Sequence, residues 1–94
     1  MTENKKVPYT DVQNLLAKLS FEFLRTGQAG TICTAYLGTF RIAQGYSACV
    51  VPEEYSQELG EKYAKQRCLQ EAENKIWELL GFSLFKELNP QLFV

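Results

Sequence analysis

Residues 31–43 read Thr-Ile-Cys-Thr-Ala-Tyr-Leu-Gly-Thr-Phe-Arg-Ile-Ala, and the rest of the chain arranges itself around them. Thr31 to Leu37 is rich in β-branched and aromatic residues, the composition of a strand. Gly38-Thr39 follows, and glycine at the first of two turn positions suits a type II′ hairpin. Phe40-Arg41-Ile42-Ala43 is the return strand. Side chains alternate: Ile32, Thr34 and Tyr36 share one face, and Cys33, Ala35 and Leu37 the other. Gly45 marks a bulge or bend. Ser47 to Val51 resumes the extended path, and Pro52 biases Val51 toward it. The hairpin thus spans residues 31–51.

Beyond it, Pro52 fits a first helical position, and Glu53 and Glu54 favour a helix N-terminus. Tyr55, Leu59, Tyr63, Ala64, Cys68, Ala72, Ile76, Leu79 and Leu80 recur at three or four, which predicts a helix over 53–80. Gly60 is a point where a short turn could separate from it, and Gly81 is its expected end. Glu58 with Lys62, Glu61 with Lys65, and Glu71 with Lys75 have the favourable i, i+4 order. Residues 82–94 read as a tail. Before the hairpin, residues 1–9 read as a flexible arm. Thr10 and Gln13 have capping-box spacing. Val12, Leu15, Leu16, Leu19, Phe23 and Leu24 then predict a helix over 10–26, closed by Gly27. The expectation is one α+β domain: an N-terminal helix, a β-hairpin and a long amphipathic helix.

A helix over 53–80 is roughly 40 Å long, more than a compact domain of this size has room for. Two strands do not make a stable sheet alone. The surplus helix face, with Leu88, Leu92, Phe93 and Val94, needs a partner. Self-association, by helix packing or by hairpins joining edge to edge, is the economical answer, so a homo-oligomer is expected.

The chain has 94 residues, 10 basic and 11 acidic, a formal charge of −1 and no histidine. That balance argues against duplex nucleic acid, which needs a basic footprint. No apolar run reaches the roughly 20 residues of a membrane span, and the N-terminus lacks an apolar signal core. A cytoplasmic protein is expected. Cys33, Cys49 and Cys68 form no Cys-x-x-Cys pair, so they read as reduced core residues rather than metal ligands. Without histidine the commonest general base is missing. No base stands near Ser47, and Cys49 has only Arg41 close in sequence to stabilise a thiolate. Residues 27–30 lack the ending of a phosphate loop. Neither an enzyme nor a cofactor or metal is expected.

Binding has more to offer. Tyr36 and Arg41 on the hairpin, and Tyr63, Lys65, Arg67 and Trp77 on the long helix, combine rings that stack with cations that pair phosphate. The plainer readings are a solvated helix face and a core tryptophan. Glu53, Glu54, Glu58 and Glu61 are the candidate contacts with a protein partner.

Thr31-Ile32-Cys33, Leu37-Gly38-Thr39-Phe40, Gly45-Tyr46-Ser47-Ala48-Cys49-Val50, Pro52-Glu53, Leu59-Gly60 and residues 74–82 (Asn-Lys-Ile-Trp-Glu-Leu-Leu-Gly-Phe) come in a fixed order. Together they resemble a family of small tailed-phage proteins known by gene products forty-nine and sixty-six of two podoviruses. The similarity runs from Thr31 to Leu88 and leaves the first helix outside. Two departures stand out: Gly38-Thr39 replaces the family's Asn-Gly turn, and the Gly60–Trp77 spacing is about four residues longer, close to one helical turn. The resemblance implies a phage origin and expression in the host bacterial cytoplasm. It supplies no reaction. By class-level analogy it suggests a non-catalytic, oligomeric binding module that counters host defence by sequestering a signalling nucleotide. The alternatives are a protein-directed, anti-CRISPR-like inhibitor of a defence complex, and a virion accessory protein.

Overall fold

Seven residues that the apolar spacing puts in a helix, Ser20–Thr26, form a β-strand in the computed structural model, which describes residues 6–94. The first helix, α1, is only Tyr9–Leu16. The difference has a physical source. Leu19, Phe21 and Phe23 recur at two as convincingly as Leu16, Leu19 and Phe23 recur at three and four. A strand here, β1, pairs along its whole length with β2 (Gly30–Leu37), and that pairing overrides the local helical preference. The Thr10–Gln13 capping box does not form either. Pro8 is the N-cap, and no side chain caps the helix. Gly27, with φ of +64°, serves the turn between β1 and β2 rather than a helix end. Of the expected arm, residues 1–5 lie outside the described residues, while Val7 packs against the core.

The hairpin is where the sequence places it. β2 pairs antiparallel with β3 (Phe40–Ala48), in a sheet of order β1-β2-β3. Gly38 has φ of +63° and Thr39 is not in the positive-φ region, the pattern of a type II′ turn. The strands end at Ala48, three residues before the expected limit. The bulge is at Ile42, not Gly45. The register passes from Ala35 opposite Ala43 to Tyr36 opposite Arg41, so Ile42 is the extra residue, and both Ile42 and Ala43 are buried.

After one 3-10 turn (Pro52–Glu54), α2 runs from Gln57 to Leu88. Ser56 is its N-cap, accepting from the Leu59 N–H at 3.3 Å. That is why it starts four residues later than expected, with Gly60 inside it. Gly81 does not end it. Phe82, Leu84, Phe85 and Leu88 extend the helical pattern, and the break comes at Asn89, which precedes Pro90. The 32 residues span about 48 Å. The molecule measures 60 × 26 × 22 Å, with a radius of gyration of 17.3 Å, against roughly 12 Å for a compact chain of this length.

One face of the sheet carries α2. Ala64, Cys68, Ala72 and Ile76 form its buried stripe, facing Cys33, Ala35, Ala43 and Gly45. The small residues let helix and sheet approach closely. At Gly45 the approach is so tight that a Cβ would overlap the Ala64 carbonyl oxygen and the Cys68 backbone nitrogen. Val12 of α1 closes the core from the side. Cys33 and Cys68 are buried together as free thiols, with the Cys68 thiol donating to the Ala43 carbonyl at 3.6 Å. Burial, with Cys68 adding to it, pushes the Cys33 thiol up to about 12. Burial also raises Cys68. Cys49 departs from the core expectation, since it is only half-buried.

The last turns of α2 overhang the sheet. Phe82, Phe85, Leu88, Leu92 and Phe93 are all substantially exposed there. A final 3-10 turn, Pro90–Phe93, folds back so that the Phe93 ring meets Phe82 edge-on at 5.7 Å and Phe85 at 6.3 Å.

Candidate functional site

The sheet face turned away from α2 carries Ile32 opposite Tyr46, Thr34 opposite Gln44, and Tyr36 opposite Arg41. Gln44 donates to the Thr34 hydroxyl at 3.1 Å. Tyr46 and Arg41 are exposed, and Tyr36 is half-buried. The bulge at Ile42 keeps Arg41 on the same face as Tyr36. Directly opposed residues on one face have Cβ atoms about 5 Å apart, so the Tyr36 and Arg41 side chains leave neighbouring positions of the same exposed sheet face.

The other sequence-predicted binding residues do not join them. Lys65 sits over the Phe21 ring, its Nζ 4.6 Å from the centroid, on the opposite face. Arg67 donates to the Tyr46 carbonyl at 2.7 Å. Trp77 stacks on Tyr9 at 5.9 Å with an interplanar angle of 11°, packed against the core. It lies about 21 Å along the helix from Tyr63. Tyr63 lines a separate pocket. The six residues therefore occupy several places, and Tyr36 with Arg41 is the pair that the fold assembles.

Glu53 and Glu54 lie in the 3-10 turn, and Glu58 and Glu61 in the first turns of α2. Glu61 accepts from Gln57 at 3.1 Å. Among the described residues the ion pair is Lys75–Glu78 at 3.5 Å. The expected Glu58–Lys62, Glu61–Lys65 and Glu71–Lys75 pairs do not close. Exposed pairs of this kind are worth only a few tenths of a kcal/mol, and Lys62 and Lys65 instead lie over Tyr63 and Phe21.

Sequence reasoning missed the other end of the sheet. The Thr31 and Tyr55 hydroxyls are hydrogen-bonded at 2.9 Å, and the Arg25 guanidinium covers the Tyr55 ring at 4.6 Å. Beside them Ser47, Cys49, Tyr55, Leu59, Gly60 and Tyr63 line a pocket of about 160 Å³. The Ser-Ala-Cys and Leu-Gly elements, separated in sequence, converge here. Their fixed order was the available signal.

Residues 6–88 match the model of the Phage protein (N4 Gp49/phage Sf6 gene 66) family. The match takes in α1 and β1, which the sequence resemblance left outside. No curated protein and no solved structure matches the chain. Among the described residues, no helix is long and apolar enough to cross a membrane.

Proposed function

The chain belongs to the N4 Gp49/phage Sf6 gene 66 family of phage proteins, and from that premise we propose that it is a non-catalytic binding module that counters a host defence by sequestering a signalling nucleotide. The observation that carries this reading is the Tyr36–Arg41 pair on the uncovered sheet face, with Tyr46 on the same face. A base stacks on a tyrosine ring, and a guanidinium holds phosphate through paired N–H donors. The module works as an oligomer in the host cytoplasm. Support for self-association comes from the overhang of α2, whose exposed Leu79, Phe82, Phe85, Leu88, Leu92 and Phe93 amount to an apolar patch on the order of 500 Å², at the upper end of what a monomer leaves open.

Thermal-shift screening against cyclic dinucleotides, cyclic trinucleotides and ADP-ribose variants tests the ligand. Stabilisation by one class, lost in Tyr36→Ala and Arg41→Ala, is expected. Absence of any shift at high concentration defeats the nucleotide reading.

A protein-directed inhibitor is the second reading. It draws on Glu53, Glu54, Glu58 and Glu61, none of which has a cation within ion-pair distance among the described residues. Recovery of a stable complex with a host defence protein from bacterial lysate, unaffected by Arg41→Ala, favours it over nucleotide capture.

A further inference from the structure

We propose that the pocket between the end of β3 and the start of α2 is a binding site for a small uncharged ring compound carrying one hydrogen-bonding group. Three observations converge on it. The first is size: the pocket holds about 160 Å³, and an apolar cavity of about 150 Å³ takes a benzene-sized ring. The second is its walls. Leu59, Ala48, Ala29 and the rings of Tyr55 and Tyr63 supply apolar and aromatic surface. Tyr55 is held in place from two sides, by the Thr31 hydroxyl and by the Arg25 guanidinium.

The third observation is Ser47. It is only 7 % exposed, and its hydroxyl has no hydrogen-bond partner among the described residues. Every polar side-chain atom there that is sealed from water has one, so the Ser47 oxygen keeps an open side. Ser47 lies opposite Thr31 on the sheet face that carries α2, and the pocket it lines is on that face. Through that open side the Ser47 hydroxyl can donate to, or accept from, a ligand group in the pocket. Cys49 also lines the pocket, but its thiol donates to the Val51 carbonyl at 3.1 Å, whereas the Ser47 hydroxyl is free to meet a ligand. Glu54 stands at the wall and disfavours an anion. The ligand is therefore a neutral ring with a hydroxyl, amide or ring nitrogen, not a phosphate. The site is independent of the nucleotide reading, because Tyr36 and Arg41 occupy the opposite face.

The test titrates the full chain, labelled with nitrogen-15, with phenol and with toluene, rings of similar size that carry a hydroxyl and a methyl respectively. Saturable amide shifts at Ser47, Cys49 and Leu59 to Tyr63 are expected at millimolar ligand. Phenol should bind about fivefold more tightly than toluene, the worth of one hydrogen bond. Ser47→Ala should abolish that preference while still binding both rings, and Ala29→Leu, which fills the pocket, should bind neither. The proposal is overturned if neither ring produces saturable shifts, if the two rings bind native protein equally, if Ala29→Leu binds as native does, or if the shifts map to Tyr36 and Arg41.

Discussion

Arg67 on α2 donates from Nη1 to the carbonyl oxygen of Tyr46 on β3 at 2.7 Å. The Cys49 N–H bond to the Ala29 carbonyl, 2.9 Å long, extends the β2–β3 ladder and fixes which pairs exchange hydrogen bonds. By that alternation the Tyr46 backbone groups point away from β2, toward the free edge. Arg67 therefore covers an edge that pairing leaves open, one way natural sheets protect an edge strand. Arg67→Ala is expected to lower stability by about 1 kcal/mol in urea unfolding and to leave nucleotide binding unchanged. A loss of nucleotide affinity without a loss of stability would instead make Arg67 a ligand contact.

The same alternation predicts a pattern along β1. Because β2 uses Thr31 and Cys33 toward β3, it offers Ile32 and Thr34 to β1. The amides of Glu22, Leu24 and Thr26 are then in the ladder, and those of Phe21, Phe23 and Arg25 face outward. Hydrogen exchange followed by NMR should show slow and fast amides in alternation from Phe21 to Thr26. Uniform protection would restore the helix that the apolar spacing suggests.

Gly45→Ala should be severe. The added Cβ meets backbone atoms of Ala64 and Cys68, which cannot rotate aside as a flexible side chain does. A loss of about 3 kcal/mol, or roughly 15 °C in Tm, is expected by calorimetry. Gly81→Ala, where a Cβ meets nothing within 4 Å, should instead stabilise by about 0.5–1 kcal/mol.

Stability should fall in alkali. The Cys33 thiol holds its proton more tightly folded, to about 12, than unfolded, where it titrates at its ordinary value. Below that ordinary value, 9.0 for this thiol, its contribution is complete. It is lost progressively as pH rises from there toward 12. The urea midpoint should drop as pH rises from 9.0 toward 12, and Cys33→Ala should flatten that slope.

The overhang can be tested without disturbing the core. Phe82→Asp combined with Phe85→Asp alters residues that are 56 % and 46 % exposed. Tm should change by only a few degrees, while the mass in solution by light scattering should fall to that of one chain. A native protein already monomeric at high concentration removes the oligomer from the proposed function.

What the sequence revealed depended on how many periods a segment fits. The hairpin was legible because Gly38-Thr39 sits between two strands that fit no helix. The long helix was legible from Gln57 to Leu80, and its last two turns were lost to Gly81, whose helical use no local signal distinguishes from a stop. Residues 19–24 satisfy both periods, and only their pairing with β2 decides between them. The pocket was illegible for a different reason. Ser47, Tyr55 and Leu59 are joined by the path of the chain from β3 through one 3-10 turn into α2, which spacing alone does not give. Tyr36 and Arg41 could be paired from the hairpin register, whereas Lys65, Arg67 and Trp77 on one helix looked closer in sequence than their directions allow.

α2 is also a lever. Its buried stripe ends at Ile76, and Leu88 stands twelve residues further on, about 18 Å along the axis. A tilt of about 10° at the sheet carries that tip through roughly 3 Å, as far as about two residues of helical rise. Small repacking beside Gly45, too slight to register at the core, is thus displayed at the aromatic tip formed by Phe82, Phe85 and Phe93.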